Sequence, residues 1–251
     1  MPAVFVHGVP DTHRVWKTLI RRLRRDDVVT VSLPGFGCEV PPGFDCSKEA
    51  YCDWLLSEVD NVGGPVDLVA HDWGAILALR VASLEPKLIR TWAVGGAPLD
   101  PEYEWHKVAK LWQTPEVGEQ VMEKLTPETL APGLVAAGVP AEDAAEAARH
   151  VDATMKRSIL ALYRSGVRVG AEWEHGLTRV SGRGLVLWGA DDPYAAPVFG
   201  SRLASRTGAR FVTYAGCGHW WPLERPGEVA KELEALWASE REGAARGIPG
   251  V

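Results

Sequence analysis

The sequence predicts an α/β fold: an open, mostly parallel sheet of about six strands, with a helical segment inserted late in the chain. Short β-rich runs are almost continuously apolar instead of alternating, as in strands buried on both faces. Helical patterns separate these runs. One long gap, from Val94 to Gly184, holds helical patterns and no convincing strand.

Taken in order, strands are expected at Pro2–Val6, Val28–Leu33, Val66–Ala70, Arg90–Val94, Gly184–Trp188 and Arg210–Tyr214. Helices are expected at Thr12–Arg24, Ser47–Asn61, Ala75–Leu84, Pro197–Ser205 and Gly227–Ser239. Such alternation implies right-handed crossovers. Inside the gap, helices are expected around Pro101–Trp112, Thr114–Leu125, Thr126–Ala136 and Ala141–Tyr163. A piece this long between sheet strands reads as a helical cap over residues 98–175, with a core of 1–97 and 176–251. Glu242–Val251 reads as a frayed tail.

Composition removes several function classes. Of the 251 residues, 46% are apolar, enough for a sizeable core. The net charge of -6 argues against a nucleic-acid partner. The basic run Ile20–Asp27 reads as the solvated end of a helix. No apolar run reaches membrane-spanning length, and Met1–Val6 lacks the features of a secretory signal. Cys38, Cys46, Cys52 and Cys217 show no metal-binding spacing, so free thiols, a cytoplasmic location and no metal are expected.

In open α/β sheets ligands bind beyond the carboxyl ends of the strands. The segments that follow five of the strands are His7–Asp11, Pro34–Gly37, His71–Gly74, Gly189–Tyr194 and Gly216–Trp221. Each is rich in small or chemically capable residues. Ala70-His71-Asp72-Trp73-Gly74 fits a nucleophile elbow, a tight strand-to-helix turn needing small residues two before and two after its centre. The competing role for Asp72 is to cap the helix beginning near Trp73. Elbow enzymes order their triad as nucleophile, acid, histidine. Asp192, preferred over Asp191, and His219 follow in that order. The motif assigns the oxyanion donors to the backbone N–H groups of Val9 and Trp73. His7 and His71 are expected to hold loops by hydrogen bonds, and His13, His150 and His175 to lie at the surface.

With HGVP, HDWG, a late acid and GHW in place, the chain resembles the aspartate-nucleophile branch of the α/β-hydrolase superfamily. That branch contains epoxide hydrolases and haloalkane and fluoroacetate dehalogenases. The resemblance spans nearly the whole chain and is closest to epoxide hydrolases. It implies a cofactor-free reaction in which Asp72 attacks a saturated carbon and forms an alkyl ester. His219, oriented by Asp192, then activates water against that ester. In "LYRSG", Tyr163 resembles a ring-opening tyrosine; in "YEWHK", His106 resembles the residue that replaces a second one, with Tyr103 the alternative. Trp105, Trp112, Tyr103 and Trp220 are expected to line an apolar substrate pocket.

Competing activities lose particular residues. Haloalkane dehalogenases often carry Asn where this chain has Val9, and fluoroacetate dehalogenases carry Arg where it has Trp73. Trp73 could still serve as one halide donor, with Trp105 or Trp112 as its partner. A non-catalytic ligand receptor is the alternative from another class. The superfamily usually has two strands before the HGxP strand, of which this chain has no sign. Val28–Leu33 is therefore expected at a sheet edge, covered or paired with a second copy.

Overall fold

The computed structural model describes residues 1–246; of residues 239–246 only the backbone is described. Residues 247–251, the end of the expected tail, lie outside the described residues, while Glu242–Arg246 continue the last helix. The strands are β1 (Ala3–Val6), β2 (Val28–Val31), β3 (Val66–His71), β4 (Ile89–Gly95), β5 (Arg183–Gly189) and β6 (Arg210–Tyr214). They form one sheet in the order β2-β1-β3-β4-β5-β6, and every neighbouring pair is parallel. The nearly unbroken apolar runs follow from burial on both faces. Along β1, Val4 and Val6 enter one core cluster, while Ala3 and Phe5 enter the other. Each such side chain is worth roughly 1.5–3 kcal/mol when fully buried.

The helices are α1 (Lys17–Ile20), α2 (Lys48–Asn61), α3 (Trp73–Leu84), α4 (Lys107–Gln113), α5 (Val117–Lys124), α6 (Pro127–Ala136), α7 (Ala141–Ala148), α8 (Ala153–Ser165), α9 (Val169–Trp173), α10 (Pro197–Thr207), α11 (Trp221–Glu224) and α12 (Pro226–Arg246). Short 3-10 turns precede α1, β4 and β5. Residues of α2, α3 and α10 enter the core cluster of Val4; α1, α11 and α12 enter that of Phe5. All of α4 to α9 falls between β4 and β5, as the long strandless gap implied. No helix among the described residues is long and apolar enough to cross a membrane.

Several expectations need correction. The helix expected at Thr12–Arg24 is a 3-10 turn followed by the short α1. The basic run beyond it is not merely solvated: Arg25 reaches the fully buried Asp67 at 2.7 Å and lies over Trp237. The helix expected from Pro101 starts at Lys107, because the His106 ring caps it by accepting the Ala109 N–H at 3.2 Å. The pattern over Ala141–Tyr163 breaks in two where Asp152 caps α8 by accepting the Met155 N–H at 2.8 Å. Strand β2 is an edge strand, shorter than expected, with Val29 37% exposed.

Candidate active site

The turn after β3 sets the site. Asp72 sits between β3 and α3 with φ 52° and ψ -130°, a left-handed conformation that costs a non-glycine residue free energy. Its side chain makes no capping bond to α3, so the helix-cap role does not account for it. The carboxylate instead turns toward the loop after β1, where Oδ1 accepts the Val9 N–H at 2.8 Å. The Trp73 N–H also faces it. The turn depends on close approach: a Cβ on Gly74 would lie 2.4 Å from the His7 carbonyl oxygen, and one on Gly8 would lie 2.3 Å from the Asp72 Cβ. The N-terminus of α3 adds positive potential beneath the carboxylate.

His219, in the loop between β6 and α11, stands between two carboxylates. Its Nε2 lies 3.5 Å from Asp72 Oδ2, and its Nδ1 lies 2.8 Å from Asp192 Oδ2. Asp192 is held in turn: its Oδ1 accepts the N–H groups of Tyr194 at 2.8 Å and Ala195 at 3.0 Å. Burial alone would lower the His219 pKa, but Asp192 and then Asp72 outweigh it and push it up to about 10. Burial would raise the Asp72 pKa, yet the His219 hydrogen bond and charge, with the Trp73 N–H, hold it below the usual carboxylate range. Asp192 is likewise depressed by His219 and its two N–H donors against the cost of burial.

His7 and His71 are structural. His7 Nδ1 donates to the Gly8 carbonyl at 2.8 Å, and Nε2 accepts the Leu33 N–H at 3.0 Å. His71 Nε2 donates to the His219 carbonyl at 2.9 Å. Burial lowers both pKa values to about 4, so both rings are neutral.

A cavity of about 230 Å³ opens over Asp72 and His219. Core loops supply Val9, Tyr194 and Trp220 to its wall, the segment before α4 supplies Tyr103, Trp105 and His106, and α4 and α8 supply Trp112 and Tyr163. Among the described residues the wall includes no Arg or Lys, and no cluster of His, Cys, Asp and Glu fit for a metal ion exists. Tyr163, on α8, packs edge-on against Trp73 and Trp112. Burial and then the Asp72 charge raise its pKa well above 10, which keeps the phenol protonated. His106 accepts the Ala109 N–H at Nδ1, so the neutral ring carries its proton on Nε2. Burial lowers the His106 pKa, against the pull of Asp72.

Three other polar groups on the wall are already committed. The Tyr103 hydroxyl donates to the Tyr194 carbonyl at 3.0 Å. The Trp105 N–H is shared between the Gly166 and Val167 carbonyls at 3.2 Å each, and the Trp220 N–H donates to Asp11 at 3.0 Å. The indole N–H groups of Trp73 and Trp112 have no partner. Trp73 is fully buried behind Trp105 and Tyr163 and does not reach the wall. Sequence reasoning missed Tyr194, whose ring meets His219 and His106 edge-on at 5.1 and 5.0 Å. Its signal was its position two residues beyond Asp192. Asp11, the partner of Trp220, was also missed; it is the last residue of the HGVPD loop.

The sequence profile of the alpha/beta hydrolase family matches residues 3–232. The chain belongs to that family. Among the relatives of this α/β hydrolase, a haloalkane dehalogenase of Mycolicibacterium paratuberculosis is 31% identical over 90 residues, 34% of this chain and 30% of the relative. Epoxide hydrolase 3 of Mus musculus is 28% identical over 121 residues, 44% of this chain and 32% of the relative. The match thus spans about a third of each of these curated relatives. Both activities are among those of the aspartate-nucleophile branch that the hydrolase resembles. In fold, it is similar to the haloalkane dehalogenase DbeA of Bradyrhizobium elkani, with a TM-score of 0.77, 20% identity, and 95% and 91% of the two chains covered.

Proposed function

We propose that this α/β hydrolase opens epoxides to vicinal diols. The observation that carries the reading is a pair of neutral hydrogen donors on the wall of the Asp72 cavity: the Tyr163 phenol and the His106 Nε2–H. An epoxide oxygen leaves as an alkoxide and needs such donors; it needs no metal and no cofactor.

In this reading the ionised Asp72 attacks an epoxide carbon with Oδ2. The carbon–oxygen bond breaks, Tyr163 gives its proton to the leaving oxygen, and His106 donates a second hydrogen bond. The product is an alkyl ester on Asp72. Esterification removes the Asp72 charge, which has two effects. The Tyr163 proton becomes easier to lose, because that charge helped to raise its pKa. The His219 pKa falls, because one of its two supporting carboxylates is gone. His219 then loses its proton, the Tyr163 phenolate regains one by way of solvent, and the neutral imidazole, with Asp192 as its remaining partner, can act as a base. It takes a proton from water, and the hydroxide attacks the ester carbonyl carbon. The Val9 and Trp73 N–H groups stabilise the resulting oxyanion, each worth about 3–4 kcal/mol in barrier height. Collapse of the tetrahedral intermediate expels the diol's oxygen, which takes the proton of the new carboxyl group, and the Asp72 carboxylate is restored beside a protonated His219. The substrate is a small apolar epoxide, in keeping with the tryptophan-rich wall.

The second reading is a haloalkane dehalogenase using the same Asp72. The partnerless indole N–H of Trp112, on the cavity wall, favours it. Against it, the Trp105 N–H is committed to backbone carbonyls and Val9 offers no side-chain donor. A haloacid substrate would want a cationic wall residue. The strained Asp72 and its ion-paired histidine speak against a purely non-catalytic receptor. Styrene oxide and 1-bromobutane, offered separately, test the choice. Diol formation from the first without bromide release from the second is expected; the reverse pattern contradicts the proposal.

A further inference from the structure

The cavity has a mouth, and the exposure of its wall residues locates it. Most wall residues are buried or half-buried. Val108 on α4, at 41% exposed, and Gly133 on α6 are the exposed ones among them. The cavity therefore meets solvent between α4 and α6. Leu125, Leu130 and Leu134 make the wall nearby apolar.

Gly133 is an unexpected residue for that position. It lies inside the ten-residue α6, directly after Pro132. Glycine is the least helix-favouring residue after proline, and Pro132 already removes a helix hydrogen bond. No positive φ calls for glycine here, and a Cβ added to Gly133 would meet nothing within 4 Å. Neither backbone geometry nor packing explains the residue. What the missing side chain leaves is open space at the mouth.

We infer that Gly133 is a specificity-determining residue: with Val108, the other exposed residue of the wall, it holds the mouth open for an apolar tail on the substrate. The inference rests on reading the site as an epoxide hydrolase and narrows the substrate class to neutral epoxides with one apolar substituent. The reacting ring sits at Asp72 and the substituent runs along Leu130 and Leu134 toward solvent. The cavity is about 230 Å³, so a tail that outgrows it must emerge through the mouth.

The test is a pair of ligand ladders on the full chain. The first runs from 1,2-epoxybutane to 1,2-epoxydodecane, read as kcat/KM. The second uses unreactive primary amides, butanamide to dodecanamide, read as Kd from the fluorescence of the wall tryptophans Trp105, Trp112 and Trp220. Gly133→Leu is expected to lower the long-to-short ratio of kcat/KM about tenfold or more, with the same discrimination among the amides. Gly133→Ala falls between it and the native protein. Val108→Phe narrows the same mouth from α4 and must act in the same direction, which keeps the test decisive if Gly133→Leu does not fold. Equal losses at all lengths, or an unchanged ratio in both ladders, overturn the inference. Discrimination among the amides without any epoxide turnover retires the epoxide reading and keeps the mouth.

Discussion

His219 Nε2 lies 3.5 Å from Asp72 Oδ2, so the proposed nucleophile and the proposed base form an ion pair at rest. The pair predicts a titration. With both carboxylates present, His219 stays protonated up to about pH 10. In Asp72→Asn, which imitates the uncharged ester, one carboxylate is removed and the His219 pKa falls. Histidine ring chemical shifts followed by NMR against pH measure both. Identical titrations in the two proteins would remove the proposed switch from acid to base.

Tyr163→Phe tests the ring-opening donor. The Trp73 indole N–H faces the phenol, and removing the hydroxyl leaves the ring packing against Trp73 and Trp112 in place. Single-turnover ester formation with styrene oxide is expected to slow about a hundredfold, the scale of one acid catalyst. Hydrolysis of the ester is expected to change far less. A variant slowed equally in both steps would mean that Tyr163 only shapes the cavity.

Asp11 gives a stability prediction with a defined sign. Burial is the main reason its pKa rises from 3.8 to about 7, with the Asp72 charge adding to it and the Trp220 N–H opposing it. The folded protein therefore holds this proton more tightly than the unfolded chain. The associated stability is complete below 3.8 and is lost as pH rises through about 7. Asp11→Asn keeps an acceptor for Trp220 and removes the titration. Its Tm relative to the native protein is expected to climb across that interval and level off above it. A Tm difference independent of pH contradicts the assignment.

Asp67 is a fully buried carboxylate at the opposite end of β3 from Asp72. It accepts from Arg25 and Thr91 at 2.7 Å each and is also paired with Arg90. Asp67→Asn takes the carboxylate away from Arg90 and leaves Arg25 with Asp27 alone. Denaturant unfolding is expected to show a loss of about 3–5 kcal/mol. Turnover by the folded fraction should be retained, since Asp67 does not border the cavity. A loss below about 1 kcal/mol would mean that solvent or neighbouring groups compensate the arginines.

The legible parts of the fold were those set by local chemistry. Parallel strands buried on both faces produce unbroken apolar runs, so Val66–Ala70 and Gly184–Trp188 could be found within a residue of their true ends. Asp72, Asp192 and His219, which the structure brings together, each stand in a short, distinctive segment after a strand. The inserted helices were harder, since their boundaries depend on single caps. His106 both starts α4 and borders the cavity, and one ring nitrogen serves the first task. The commitment of Tyr103 to the Tyr194 carbonyl joins residues 91 positions apart, and no local pattern carries it. Nor does any sequence pattern show that Gly133 and Val108 border the same cavity, because that depends on how the inserted helices pack.

Covalent catalysis by Asp72 is the claim on which the chemistry rests. A single turnover of styrene oxide in heavy-oxygen water tests it most directly, with mass spectrometry of both the diol and the peptide that contains Asp72. The expected result is label in the Asp72 carboxylate and an unlabelled diol, because the water oxygen enters the ester carbonyl. Label in the diol with an unlabelled Asp72 peptide would contradict it.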